Sequence, residues 1–452
     1  MSATAAVVLA AGQGTRMRSR LPKVLHPLAG RPMLEHVLAS LAAAGVVDQV
    51  VVTGHDADQV EAALDGRVTS VRQEAQLGTA DAVQVGLAEV SSEAAQVVVA
   101  MGDAPLMPPE LFAELLRAQA HDDACIALLS FRPADPSGYG RIVRTVDGSV
   151  QAIVEEADAD AATRQLDEAN AGTYCFEARW LRANIAAVPA SPSGERYLTD
   201  LVAMAIASGR RVAVVLAPRP ELAMGINDRV GLAAAERVLR AEIAERHMRN
   251  GVTIIDPAST FIDVSVEIGE DARIEPWTIV AGPSWIGSGA VIGPHAQVIA
   301  SRIGPRTVVW ASVIEASTIA EDVEIGPFTH LRPGCEIGPR SRIGNYAEMK
   351  KTRVGADTQV HHFSYLGDAE LGDAVNIGAG AVTANFDGVA KYPTTIGDRA
   401  FIGVDTMLRA PISIGPGART GAGAVVTRDV PAGETVVGMP ARRISTRRRT
   451  NA

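Results

Sequence analysis

One rhythm constrains this chain more than any other feature. Ile319, Ile325, Leu331, Ile337 and Ile343 fall every sixth residue, and a glycine follows three of them. An earlier run keeps the same beat at Ile268, Ile274, Val280, Ile286, Ile292 and Val298, and a later one at Ile396, Ile402, Leu408 and Ile414. A period of six matches neither the 3.6-residue turn of a helix nor the two-residue alternation of a strand. It matches the hexapeptide repeat of a parallel β-helix, in which each hexad gives one short strand and one corner. One aliphatic side chain per hexad then points inward and stacks on its equivalents. Glycine or a small polar residue is expected at the corners, where positive φ is cheap for Gly, Asn and Asp.

At 452 residues the chain is long for a single core, so more than one domain is expected. Aromatic residues make up only 4%, too few for base-stacking platforms, and the net charge of −10 disfavours a nucleic acid partner. A short basic tail, Arg442-Arg443 and Arg447-Arg448-Arg449, is the exception: a solvated terminus or a contact for a phosphorylated ligand. Cys125, Cys175 and Cys335 are few and widely spaced, which reads as reduced thiols and a cytoplasmic location. The start, Met1 to Ala11, lacks the basic region of a signal peptide. Pro276 to Ser301 carries no charge, but its prolines and its six-residue beat make it β-helix, so no membrane association is expected.

Residues 1–228 alternate apolar runs with amphipathic ones: Ala5–Ala10, Asp48–Thr53, Gln96–Met101 and Val212–Leu216 read as strands between helices. That pattern predicts an α/β, Rossmann-like domain with a mainly parallel sheet, whose ligands gather at the carboxyl ends of strands. Residues 229–250 carry Leu232, Leu239 and Ile243 at helical spacing and end in Asn250-Gly251, which reads as a linker helix. The β-helix then occupies residues 251–440 and the tail residues 441–452. Ala384–Thr395 is too long and too polar for a coil and must leave the β-helix as a loop.

Two clusters carry chemistry. After the first strand, Leu9-Ala10-Ala11-Gly12-Gln13-Gly14-Thr15-Arg16 runs to Pro22-Lys23. Met17 stands where a dinucleotide fingerprint needs its third glycine, and no Gly-Lys-Ser/Thr follows as in a P-loop. Arg16 and Lys23 just past a glycine-rich turn suit a triphosphate. Asp103 ends a strand and either caps the following turn or holds Mg²⁺ together with substrate phosphates; Asn227 either makes a turn or offers a second oxygen. The second cluster lies in the later coils: Arg332, Glu348, Lys350, His361-His362 and Asn376. Histidine titrates near neutrality and can take a proton from an attacking amine, so one of the adjacent pair is a candidate base.

Leu9–Arg16 with Pro22-Lys23 resembles the signature of nucleotidyltransferases that join a sugar 1-phosphate to an NTP. Gln73, Gln76-Leu77-Gly78-Thr79, Gly102-Asp103, Gly138-Tyr139-Gly140-Arg141, Glu155 and Asn170 match that family's further motifs in order. With the hexads attached, residues 5–440 are similar to the bifunctional N-acetylglucosamine-1-phosphate uridyltransferases/glucosamine-1-phosphate acetyltransferases of cell-envelope precursor synthesis. The resemblance implies the substrates UTP, acetyl-CoA, glucosamine 1-phosphate and N-acetylglucosamine 1-phosphate, the cofactor Mg²⁺, and a homotrimer. It assigns Leu9, Ala10, Ala11, Gly12, Gln73, Gly78 and Thr79 to uridine, and Arg16 and Lys23 to phosphates and catalysis. Gly140, Glu155 and Asn170 fall to the N-acetylglucosamine moiety, and Asp103 and Asn227 to the metal.

In the second half the same resemblance makes His362 the base, because it precedes Phe363-Ser364-Tyr365-Leu366-Gly367-Asp368, and has Glu348 orient it. Arg332 and Lys350 would bind the phosphate of glucosamine 1-phosphate, and Tyr365 and Asn376 its sugar. Ala379, Asn385, Phe386, Val404 and Ala422 would line the acetyl-CoA groove, with Arg442 or Arg443 near its phosphates. Met101, Phe386 and Val404 stand where the family leads one to expect Tyr, Tyr and Ser. The competing expectations are a monofunctional nucleotidyltransferase with a structural β-helix, and a non-enzymatic assembly subunit.

Overall fold

The computed structural model describes residues 3–121, 124–192 and 194–444. Arg447, Arg448 and Arg449 of the basic tail lie outside the described residues. By contacts the chain divides into two units, Met1–Leu239 and Arg240–Ala452.

The first unit is built on a twisted sheet of β1 (Ala3–Leu9), β2 (Asp48–Thr53), β3 (Thr69–Arg72), β4 (Ala94–Met101), β5 (Ile126–Phe131), β6 (Arg141–Arg144), β7 (Val150–Val154), β8 (Ala169–Glu177) and β9 (Val212–Leu216). The main path runs β9-β5-β8-β4-β1-β2-β3, and the β6–β7 hairpin joins through β8. β8 alone on that path runs antiparallel to its neighbours β4 and β5. The continuous apolar runs are explained by burial on both faces. In β1, Ala5 and Val7 enter one core with Val50, Val97 and Leu128, while Ala6 and Val8 enter the other with Val51, Val98 and Leu129. Both loops of interest, after Leu9 and after Met101, therefore leave neighbouring strands at their carboxyl ends, since β1 and β4 are parallel and pair Leu9 with Met101.

The helix Arg229–Arg249 spans the division between the units. Leu232, Val238 and Leu239 pack on the first unit's core, and Glu236 accepts a hydrogen bond from the Ala29 N–H at 2.9 Å. Beyond Leu239 the helix goes with the second unit, where the Arg240 guanidinium lies 4.5 Å from the centroid of the Phe261 ring. The helix ends as its sequence requires: Gly251 adopts φ 87°, and Gly251 and Val252 N–H donate to Met248 and His247 carbonyls.

The second unit is a left-handed parallel β-helix whose three sheets contain twelve, ten and nine strands among the described residues. Successive aliphatics of the six-residue beat move one sheet at a time: Ile319 and Ile337 share a sheet, Ile325 and Ile343 share the next, and Leu331 lies in the third. The beat fades in the sequence because some steps shorten to five, as in Val298 to Ile303, Ile314 to Ile319 and Met349 to Val354, all of them buried. Ile268 is only partly buried.

Many corners are glycine or aspartate as expected, among them Asp271, Gly289, Asp322 and Asp357, but one line of corners is aromatic. Trp277, Phe328 and Tyr346 take φ near 60° there, and Phe328 stacks on Tyr346 with ring centroids 5.3 Å apart. Left-handed backbone at a bulky residue costs about 1–3 kcal/mol, so the aromatic content of this exposed corner is held against local strain. The excursion is shorter than expected, since Ala384, Thr394 and Thr395 stay paired in the sheets, and residues 385–393 leave the coil as an arch closed by a bridge between Phe386 and Lys391.

Candidate active sites

Every residue given a substrate, metal or catalytic role in the first half lines one of two adjoining cavities of about 390 Å³ and 310 Å³, a size that admits parts of a nucleotide and a sugar. Leu9, Lys23, Thr79, Asp103 and Glu155 border both. The first adds Ala10, Ala11, Gly12, Gln73 and Gly78; the second adds Arg16, Gly140, Asn170 and Asn227.

The turn after β1 is shaped by close contacts. Gly14 adopts φ 59°, and a side chain there would lie 2.7 Å from Lys23 Cβ, so the glycine lets Lys23 lean across the turn. Gly78, at φ 107°, opens the helix Thr79–Glu89 and touches Arg196: an added Cβ would sit 2.5 Å from the Arg196 carbonyl oxygen. Thr79 Oγ1 accepts from Leu198 N–H at 2.9 Å. Gln73 Nε2 donates to Asp81 Oδ2 at 2.7 Å and to Gly78 O at 3.2 Å, which fixes its amide at the cavity wall.

Lys23 Nζ pairs with Asp103 Oδ2 and donates to Asn227 Oδ1 at 3.2 Å. The other carboxylate oxygen, Asp103 Oδ1, is buried without a hydrogen-bond partner, and Gly225 leaves room beside it: a Cβ there would come within 3.3 Å. A buried acceptor left open beside a second amide oxygen is a donor set that fits a hard cation. Asn170 is held by its own strand, donating from Nδ2 to the Tyr174 hydroxyl at 2.7 Å, and its N–H donates to Gly140 O at 2.8 Å. Burial lifts the Glu155 carboxyl above its ordinary range despite a 2.8 Å hydrogen bond from Thr199.

Sequence reasoning did not select Glu195, Tyr197 and Thr199, which border these cavities from a segment with no recognisable motif. It quoted Tyr139 without a role. Its ring packs edge-on against Phe131 at 4.9 Å, and burial raises the pKa of its hydroxyl.

In the β-helix, Arg332 just past one strand, Glu348 and Lys350 together on the next, and Tyr365 on the one after follow one another along a single sheet, where His330 registers with Glu348 and Glu348 with Tyr365. Asn376 lies on the neighbouring sheet, in register with Gln359. His362 stands between them at the end of its strand, exposed, and its Nδ1 is 3.4 Å from Asn345 Oδ1. Glu348, expected to orient His362, instead accepts from Arg332 Nη1 at 3.0 Å. The nearest orienting group of the histidine is thus Asn345, whose register with His362 emerges only once the rungs are stacked.

Lys391 was also missed. The arch sets its ammonium beside that of Lys350, whose pKa it lowers. The arch is braced at its base, where Asn385 Nδ2 donates to Asp368 Oδ2 at 2.6 Å, so the Asn385 side chain turns inward while Phe386 stays exposed. Ala379, Val404 and Ala422 occupy successive turns of one corner: Asp405 N–H donates to Ala379 O and Gly423 N–H to Val404 O, both at 2.7 Å. Arg442 and Arg443 form part of a closing hairpin, with Arg443 Nη1 2.9 Å from Glu434.

A nucleotide-sized cleft at the carboxyl ends of a parallel sheet, joined to a β-helix bearing a histidine and a cationic cluster, defines a two-domain transferase. Comparison with known proteins agrees. Residues 6–200 match the MobA-like NTP transferase domain, and residues 265–300, 316–351 and 393–428 match the bacterial transferase hexapeptide repeats. The bifunctional protein GlmU of Geobacillus thermodenitrificans is 44% identical over 96% of this chain and 95% of its own length. The GlmU proteins of Heliobacterium modesticaldum and Streptococcus equi subsp. zooepidemicus are 44% and 42% identical over the same share of this chain and 94% of theirs. The chain belongs to the GlmU family of bifunctional enzymes, which pair a nucleotidyltransferase with a hexapeptide acetyltransferase in the synthesis of UDP-N-acetylglucosamine. Among the described residues no helix is long and apolar enough to cross a membrane.

Proposed function

We propose that the β-helix acetylates glucosamine 1-phosphate with acetyl-CoA, and that the N-terminal cavities join the product to UMP drawn from UTP. The observation that carries this reading is the meeting of Lys23, Asp103 and Asn227 where the two cavities share a wall. Transfer of a nucleotidyl group needs little beyond alignment and charge neutralisation as a sugar phosphate oxygen attacks the α-phosphorus and pyrophosphate departs. Lys23 and Arg16 bring fixed positive charge to the phosphates. Gln73 and Gly78 hold the base end; Gly140, Glu155 and Asn170 hold the sugar. Asp103 and Asn227 would hold Mg²⁺, which supplies further neutralisation of phosphate charge.

In the acetyl site, Nδ1–H donation to Asn345 leaves the His362 Nε2 lone pair to accept the proton of the attacking amine. Arg332, Lys350 and Lys391 would receive the phosphate of glucosamine 1-phosphate, while Tyr365 and Asn376 meet its sugar. Ala379, Val404 and Ala422 form a strip of small side chains along which the pantetheine arm of acetyl-CoA can lie, with Phe386 at its edge. Side-by-side packing of three copies is supported by the exposed aromatics of the corner, Trp277, Phe328, Tyr346 and Phe363.

The test is thiol release from acetyl-CoA on adding glucosamine 1-phosphate, measured alongside UTP-dependent pyrophosphate formation. His362→Ala is expected to abolish the first and spare the second. Wild-type protein that makes pyrophosphate but releases no thiol would instead be a monofunctional nucleotidyltransferase on a structural β-helix.

A further inference from the structure

Among the described residues Arg141 is the largest side chain buried completely, at 1% exposed, and none of the chemistry above uses it. A guanidinium stays charged and carries five N–H donors, so its burial is costly unless partners surround it. Here the partners come from three separate segments. Nε donates to Leu166 O at 3.1 Å and Nη2 to Arg164 O at 3.4 Å. Nη1 donates to Tyr139 O and lies 2.9 Å from Glu156 Oε2.

Each segment adjoins a wall of the second cavity. Tyr139 precedes Gly140, Glu156 follows Glu155, and the turn at 164–166 leads into the strand that carries Asn170. The strands agree: Arg141 registers with Val154 on one side and Ala169 on the other, one residue short of Glu155 and of Asn170. The guanidinium is thus the common partner of the three pieces of backbone that present Gly140, Glu155 and Asn170.

We propose that Arg141 is a positioning residue for the sugar 1-phosphate: it fixes the spacing of Gly140, Glu155 and Asn170 from behind and never touches substrate. This rests on the reading of that cavity as the N-acetylglucosamine pocket. Lysine in its place keeps the charge but, as a single ammonium on a flexible stem, cannot span three segments. The uridine end, built from Gln73 and the Gly78 turn, lies outside this network.

The experiment measures KM for N-acetylglucosamine 1-phosphate and for UTP separately, in Arg141→Lys and in Glu155→Gln, using the full chain. The expected result for Arg141→Lys is a rise of about tenfold or more in the sugar phosphate KM, with the UTP KM changed by less than about threefold. A parallel rise in both constants, or no rise in either, overturns the proposal and leaves Arg141 a structural residue. Should Arg141→Lys fail to fold, Glu156→Gln decides by the same split, because it removes the ion pair and keeps the guanidinium–carbonyl bonds. Glu155→Gln separates the two layers: if the sugar phosphate KM does not respond to it, the pocket assignment itself falls, and the role of Arg141 with it.

Discussion

Arg332 reaches across one rung of the β-helix and donates from Nη1 to Glu348 Oε1 at 3.0 Å. The carboxylate that sequence pairs with His362 is therefore held by a guanidinium, and the charge of that guanidinium is partly answered before any substrate arrives. What remains is Lys350 beside Lys391, two ammonium groups whose mutual repulsion lowers the pKa of Lys350. A phosphate dianion placed between them relieves that repulsion.

Lys391→Ala is accordingly expected to raise the KM for glucosamine 1-phosphate by about 10- to 100-fold, the value of one charge-assisted hydrogen bond. The KM for acetyl-CoA should move by less than about threefold. Thiol-release kinetics with each substrate varied in turn give both constants. Equal shifts would mean that the lysine serves the folding of the arch and not the anion.

Gly78→Ala should damage the first unit alone. The substitution places a methyl group 2.5 Å from the Arg196 carbonyl oxygen at a backbone φ of 107°. Left-handed backbone by itself costs about 1–3 kcal/mol, and the contact with main chain adds to it. Calorimetry is expected to show an earlier transition for the N-terminal unit, with the β-helix transition unmoved and the UTP KM raised. An unchanged UTP KM would remove Gly78 from the nucleotide site.

The sequence discloses those parts of the molecule that depend on local repetition or on a contiguous motif. The inward aliphatics from Ile319 to Ile343 and the turn from Leu9 to Lys23 are of this kind, because each is settled by neighbours a few residues away. Asn345 is not: it meets His362 only because a coil of seventeen residues returns it to the same corner, where it lies in register. Lys391 is hidden for the same reason, since it reaches Lys350 only through the fold of an arch braced by Asn385 against Asp368 and by the bridge from Phe386. The aromatic corners Trp277, Phe328 and Tyr346 break a local rule, and nothing in their neighbours announces it. Thr199 reaches Glu155 from a stretch without any pattern.

His247 gives the protein an acid sensitivity of defined sign. It lies near the end of the long helix with Nε2 buried and without a hydrogen-bond partner, and burial, followed by the charge of Arg246, lowers its pKa to about 4. The unfolded chain takes up a proton near the ordinary histidine value of 6.5, and the folded chain does not until about 4. Stability is therefore intact at neutral pH and falls as pH drops through that window, by roughly 2 kcal/mol at pH 5. His247→Phe should flatten this slope in thermal melts recorded between pH 7.5 and 5. Identical slopes in both proteins would place the acid sensitivity elsewhere.

Glu155 carries the opposite sign and ties it to function. Burial raises its pKa above 4.5, with the charges of Asp200, Asp158 and Glu195 adding to the rise and Thr199 opposing it. Between the ordinary value and the raised one the folded chain keeps a proton that the unfolded chain has released. Stability thus falls as pH rises through that window, and the ionised carboxylate is held at a cost in neutral solution. On the proposed reading of the cavity it would accept from sugar hydroxyls, which only the ionised form can do on both oxygens. Two consequences follow from the one residue. Glu155→Gln is expected to leave the N-terminal unit as stable as wild type or more so at neutral pH, while raising the KM for N-acetylglucosamine 1-phosphate by about tenfold or more. The wild-type kcat/KM for that substrate should fall on the acid side, from a pH higher than an ordinary carboxylate would set, and the variant should lose that limb. A pH profile of uridylyl transfer for the two proteins decides the matter, and an acid limb that survives in Glu155→Gln would assign the titration to another group.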